Sequence, residues 1–339
     1  MMKVIALFTC LLCTSLLAQP YKNLVFEGGG MRGVSYAGAL SELQKRGFLD
    51  SLENVGGTSV GAITALMLAI GYSPTEIENE VSQTNPRKFN DGTVLFFGGP
   101  TRLRKHFGWY KGKKVTRWIG QLIEKKIGNA ITFAQLHERN KLDLYVTGTS
   151  LNNQRVIVFS NETYPNMKVR DAVRASMSIP FFFKPIIVDS VGNVLKKPIT
   201  GFHDIVVDGG FIANYPIDMF DWKDSIGSRI PNPHTLGFRL DTKEQLEHDR
   251  QNKVGLAPWP VESFRNYVGA FYNFIMENLN RSNLTQDDWS RTVSISSELV
   301  GAKIRTLTPE QREAMMEAGR AAVVEYLESL GKGSINYNK

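Results

Sequence analysis

The chain has 339 residues, 42% of them apolar and 22% charged, with a formal net charge of +7 and two cysteines. That balance excludes a disordered polyelectrolyte and a small disulfide-stapled scaffold, and it supplies enough apolar material for one large core. A basic excess points to anionic surfaces, lipid or nucleic acid, without choosing between them.

The first segment in chain order reads as a leader. Met1-Met2-Lys3 runs into apolar Val4 to Leu17 and ends Leu16-Leu17-Ala18-Gln19-Pro20, which has the positive front, short apolar run and small final residue of a secretory signal peptide over residues 1–18. The run is short for a membrane span, and no later stretch reaches that length. Cleavage before Gln19 would remove Cys10 and Cys13 together, giving an exported, cysteine-free chain, periplasmic or secreted, whose fold relies on its core. A lipid anchor on Cys13 is the lesser reading, because Leu11-Leu12 lacks the small residue expected before a lipidated cysteine.

Lys22 to Phe26 then reads as a buried strand, followed by Glu27-Gly28-Gly29-Gly30-Met31-Arg32-Gly33 and a helical run through Tyr36, Leu40 and Leu43. Strand, glycine loop and helix form an anion-binding design, since amides unobstructed by a Cβ converge on a negative oxygen at the helix N-terminus. The anion is either a nucleotide phosphate or the oxyanion of acyl transfer. Against the phosphate stand the missing Gly-Lys-Ser/Thr and the interruption of the dinucleotide spacing by Arg32. The plain alternative is a tight turn.

Leu52 to Val55 is the next strand, and Ala62, Ile63, Leu66, Met67 and Ile70 recur at helical spacing behind it. Between them lies Gly57-Thr58-Ser59-Val60-Gly61, the layout of a nucleophile elbow: serine on a sharp turn, glycines where backbones come close. Farther on, Arg102, Arg104, Lys105, Lys111, Lys113, Lys114 and Arg117 surround Phe107, Trp109 and Tyr110. Such a patch either draws anionic lipid headgroups while its aromatics enter the interface, or is a solvated loop; no nucleic-acid motif accompanies it.

Leu144 to Thr147 and Arg155 to Phe159 are further strands, and Phe181-Phe182-Phe183 is either core or the wall of an acyl pocket. Ile205-Val206-Val207 is a β-branched run ending in Asp208-Gly209-Gly210. Alone that is turn chemistry; with the elbow and the glycine loop, Asp208 becomes the candidate general base for Ser59. Leu236 to Leu240 is another strand. From Asp241 onward the pattern turns helical, with Val261 to Leu279 amphipathic and Pro309 to Leu327 opening after Thr308 as N-cap. Alternating strands and helices predict an α/β fold with a mostly parallel sheet, residues 19–240, on which the helical segment 241–339 packs.

Gly28 to Gly33, Gly57 to Gly61, Asp171-Ala172-Val173-Arg174-Ala175-Ser176-Met177-Ser178-Ile179-Pro180 and Asp208 to Gly210, in that order, resemble the signature blocks of the patatin-like phospholipase family. Phe183, Pro185, Asn214 and Pro216 fit the same likeness, which spans roughly residues 20 to 240. It implies a three-layer α/β fold and a serine acyl hydrolase acting on lipid esters, in which Ser59 attacks and Asp208 takes the proton without a histidine. Gly28, Gly29, Gly30, Gly33 and, by the resemblance, Arg32 would hold the oxyanion; no cofactor or metal is called for.

A histidine-dependent triad in the order serine, acid, histidine would have to use His234, in the loop after Pro231-Asn232-Pro233, or His248, in a charged segment. The alternative in another class is a lipid-binding protein that keeps the fold without turnover.

Overall fold

The computed structural model describes residues 21–92, 98–140, 142–251, 253–296 and 307–331. The expected leader, residues 1–18, lies outside them. β1 (Asn23–Phe26) is buried throughout, as an apolar strand covered on both faces must be. A 3-10 turn, Gly30–Val34, carries the chain into α1 (Ser35–Lys45), which buries Tyr36, Leu40 and Leu43. β2 (Asn54–Gly57) feeds α2 (Val60–Ala69), a helix apolar on every side and buried from Gly61 to Ala69. α3 (Pro74–Gln83) starts at a capping box in which Ser73 and Glu76 satisfy each other's amides.

Beyond it come α4 (Gly98–His106), β3 (Gly108–Tyr110), α5 (Lys113–Ile127), α6 (Phe133–Arg139), β4 (Asp143–Ser150), β5 (Arg155–Phe159) and α7 (Val169–Ser176). β6 (Phe181–Phe183), β7 (Ile186–Asp189), β8 (Val194–Leu195), β9 (His203–Asp208) and α8 (Gly210–Ala213) follow. A small ribbon, β10 (Trp222–Lys223) with β11 (Arg229–Ile230), precedes β12 (Thr235–Asp241), α9 (Lys243–Arg250), α10 (Phe264–Arg281), α11 (Gln286–Ser290), β13 (Thr292–Ser296) and α12 (Pro309–Gly331).

Among the described residues the central sheet has nine strands, ordered β13-β12-β1-β2-β4-β9-β7-β8 with β5 beside β4, and helices flank it. The stretch from β13 to β4 is parallel; β9, β7, β8 and β5 are antiparallel to their neighbours. The helical reading after Asp241 needs one correction, since β13 pairs in parallel with β12 and extends the sheet. Its Thr-Val-Ser-Ile-Ser alternation is a strand pattern, but five residues between helices give it little weight in a sequence. α12 opens at Thr308, whose Oγ1 accepts from the Gln311 amide at 3.2 Å, and it lies against α1. A Cβ on Gly38 would come within 1.8 Å of the Met316 carbonyl oxygen and one on Gly319 within 2.0 Å of the Ser35 carbonyl oxygen, so two glycines set that closeness.

The register around β4 decides where the site lies. Val146 pairs with Phe159 of β5 and with Gly57 of β2, and Gly148 pairs with Ile157 of β5 and with Asp208 of β9. β2 and β9 therefore share the edge of β4 opposite β5. One runs parallel to β4 and the other antiparallel, so their C-terminal ends point at each other across Thr147. The loop after β1 opens at the same end, because Phe26 pairs with Gly57 and with Phe238.

Candidate active site

Ser59 sits between β2 and α2 at φ 54° and ψ −118°, a conformation costly for any residue with a side chain. The turn is held from several sides. The Ser59 amide donates to Ser176 Oγ at 2.8 Å, and the Gly61 amide donates to the Thr58 carbonyl at 2.8 Å. Thr58 Oγ1 donates to the Ala213 carbonyl at 2.6 Å, so Thr147 is the donor in its 2.6 Å contact with Thr58 Oγ1. This bond ties the elbow to the residues following Asp208.

A Cβ on Gly61 would stand 2.3 Å from the Phe26 carbonyl oxygen and 2.7 Å from that of Glu27. Gly61→Ala therefore pushes backbone against backbone, and a loss of about 1–3 kcal/mol is expected from forced overpacking. Urea unfolding checks it; an unchanged midpoint would mean that the elbow has slack.

Asp208 ends β9, is 4% exposed, and faces the Ser59 side chain closely enough for the serine to favour its ionised form. Burial dominates and raises its pKa to about 6, against the lowering pull of the Gly210 amide, Ser59 and the Arg174 guanidinium. The Gly210 amide donates to Asp208 Oδ1 at 2.8 Å, which fixes the carboxylate's orientation. A carboxylate so placed is ionised at neutral pH yet a better base than one in water.

The glycine loop stands beside the elbow. The Gly28 amide is committed to the Asn214 carbonyl at 3.0 Å, while among the described residues the amides of Gly29 and Gly30 have no protein acceptor. Gly30 adopts φ +57°, which turns the loop back toward α1. Arg32 lies across the base of the loop: its Nη1 donates to the Leu240 carbonyl at 2.9 Å and its Nε to the Gly29 carbonyl at 3.4 Å. Gly33 packs against the Val60 side chain, seating the loop on α2. Behind the loop, buried Glu27 accepts from Asn214 Nδ2 at 3.1 Å and from the Leu240 amide at 2.7 Å, and burial raises its pKa to about 7.

An apolar channel of about 120 Å³ opens at Ser59. Gly30, Met31, Ile63, Trp118, Met177 and Phe182 are among its walls, as is Phe183. Phe182 and Phe183 thus wall the channel, whereas Phe181 faces solvent. None of the five histidines lines it; His137 Nδ1 is bonded to Asp143 and His203 Nδ1 to the Gly201 carbonyl.

Residues 24–221 match the patatin-like phospholipase family. The chain belongs to that family. The YqhO protein of Bacillus subtilis is 34% identical over 312 residues, covering 88% of this chain and 96% of its own. A probable lipid hydrolase, 463L, of Invertebrate iridescent virus 6 is 29% identical over 60% of this chain and 65% of its own. Among solved structures, VipD of Legionella pneumophila has the same fold, with a TM-score of 0.54 at 17% identity, over 91% of this chain and 67% of that one.

Within this patatin-like arrangement, two residues carry more of the geometry than their sequence block disclosed. Ser176 holds the elbow amide. Arg174, 1% exposed, donates from Nε to the Gly112 carbonyl at 3.2 Å, from Nη1 to Ser178 Oγ at 2.6 Å and from Nη2 to the Lys184 carbonyl at 3.1 Å. The Ser178 carbonyl in turn accepts the Asp208 amide at 3.0 Å. An arginine on a helix with buried neighbours was the available signal, since a guanidinium enters a core only with partners waiting for it.

Proposed function

We propose that the protein is a lipid acyl hydrolase working through a Ser59–Asp208 dyad. The observation that carries this reading is the meeting of the strained Ser59 with the buried Asp208 carboxylate at the mouth of an apolar channel. Ser59 Oγ forms a bond to the ester carbonyl carbon as Asp208 takes the hydroxyl proton, and the carbonyl electron pair moves onto oxygen. The Gly29 and Gly30 amides, with the N-terminus of α2, stabilise that oxyanion. Collapse breaks the carbon–oxygen bond to the alcohol, which leaves with the proton from Asp208. Water then attacks the acyl-serine, gives its proton to Asp208, and the proton returns to Ser59 as the fatty acid departs. The acyl chain lies along Ile63, Trp118, Met177 and Phe182, where burying each methylene contributes about 0.8 kcal/mol to binding.

Labelling with a fluorophosphonate tests the reading. The wild type is expected to take up the probe at Ser59, and Ser59→Ala to take up none and to release no fatty acid from mixed lipids. Labelling that persists in Ser59→Ala, or a wild type that binds lipid without labelling or turnover, would replace this reading with the lipid-binding one.

A further inference from the structure

β3 and β6 lie side by side in a two-stranded parallel ribbon, with Gly108 opposite Phe181 and Tyr110 opposite Phe183. The two strands begin in the same unusual way. Phe107, just before β3, has φ +61°, and Phe181, first in β6, has φ +65°. Such angles are rare for any residue with a side chain and rarer for a bulky one. Both rings point outward, 60% and 74% exposed, with Trp109 beside them at 41%. The backbone thus bears strain while apolar rings face water, a combination that packing among the described residues does not reward.

The position of this crest ties it to the site. Phe182 and Phe183, directly after Phe181, wall the channel that leads to Ser59, and Tyr110 stacks edge-on against Phe182 at 4.9 Å. The exposed rings therefore sit on the two strands that meet the channel wall at Phe182. Cations predominate around them: Arg104, Lys105, Lys111 and Lys113 are exposed, and among the described residues none pairs with a carboxylate, the nearby Asp91 carboxylate being taken up by the Gly112 and Lys114 amides. Aromatic rings set among solvated cations match a surface with anionic headgroups over an apolar interior.

We propose that Phe107, Trp109 and Phe181 form an insertion crest that docks the protein on an anionic lipid bilayer and delivers the acyl ester directly into the channel. The inference rests on the acyl-hydrolase reading for the use of the channel, but the docking itself is measured without turnover. Three neighbouring rings share the insertion, so removing two should show the effect more clearly than removing one.

The test uses the full chain carrying Ser59→Ala, so that lipid is not consumed, and measures co-sedimentation with vesicles of phosphatidylglycerol and phosphatidylcholine against phosphatidylcholine alone. Binding is expected to favour the anionic vesicles and to weaken as salt is raised. Adding Phe107→Asn and Phe181→Asn, which asparagine tolerates at positive φ, should weaken it by at least about tenfold. Lys105→Glu with Lys111→Glu should abolish the preference for anionic lipid. With Ser59 restored, the double asparagine variant should hydrolyse a water-soluble ester such as p-nitrophenyl butyrate within about twofold of the wild type, because the crest lies outside the channel walls.

Unchanged vesicle binding by the double asparagine variant, or equal binding to neutral vesicles, would overturn the proposal. So would a loss on the soluble ester as large as the loss on vesicles, since that would make the crest part of the catalytic scaffold. A wild type that takes up no fluorophosphonate and releases no fatty acid from the vesicles, with crest-dependent docking intact, would remove the hydrolase reading and leave the crest standing.

Discussion

Asp208→Asn is expected to lower turnover by about a thousandfold, the scale of a lost general base, and at the same time to make the folded protein more stable at pH 7. Asparagine keeps an oxygen for the Gly210 amide and fills the same volume, so the site stays in place. It cannot take the serine proton. The stability gain follows from burial. An aspartate in an unfolded chain ionises near pH 4, whereas Asp208 in the fold ionises at about 6 because desolvation opposes its charge. A raised value means that the fold prefers the neutral acid: the contribution to stability is full below about pH 4 and is lost as pH rises through about 6. Above that range the wild type bears a buried charge costing roughly 3 kcal/mol. The urea midpoint of the variant should therefore separate from that of the wild type between pH 4 and 6 and hold its lead above pH 7. In the wild type, kcat/KM should fall on the acid side with a midpoint at about 6, as Asp208 gains the proton that disables it. An asparagine variant with wild-type turnover would remove Asp208 from its role as base, and one less stable than the wild type at pH 8 would remove the cost assigned to its buried charge.

What the chain discloses before folding, and what it withholds, divides along a physical line. Local chemistry is legible: the elbow, the glycine loop and the strand ending in Asp208 each depend on a few adjacent residues, and each lies where its pattern put it. The meeting of Ser59 with Asp208 is not local. It depends on β2 and β9 sharing one edge of β4 from opposite directions, and no periodicity encodes which strand pairs with which. The resemblance to known blocks supplied that juxtaposition where spacing could not. β13 was lost among helices because five alternating residues weigh little against long amphipathic stretches. The triple phenylalanine read as core or pocket wall because composition cannot say which way a ring points. Backbone dihedrals separate the outward Phe181 from its two inward neighbours, and they exist only in the fold. Arg174 and Ser176 were in view inside a recognised block, but their work is to hold groups from other segments, which a single segment does not reveal.

Arg174→Met is expected to shift the acid limb of kcat/KM upward from about 6 and to cost about 2–4 kcal/mol of stability. Two separate effects of the guanidinium produce these results. Its three hydrogen bonds satisfy the Gly112 and Lys184 carbonyls and Ser178 Oγ around a buried guanidinium, and methionine, whose chain ends where Nε stands, leaves all three without that donor. Part of the loss is recovered, because burial makes the cation itself expensive and lowers its pKa to about 10. The second effect is electrostatic. The cation favours the ionised form of Asp208, so its removal raises the pKa of a carboxylate already lifted by burial, and the dyad is disabled at a higher pH. Arg174→Lys separates the two: it keeps a charge but not the three-way geometry, so stability should fall while the limb stays near its wild-type position. If methionine and lysine lower stability together and neither moves the limb, Arg174 is a strut for the Ser178 turn alone. A limb that moves with methionine and returns with lysine makes it the residue that positions Asp208 and sets the pH at which the site can work.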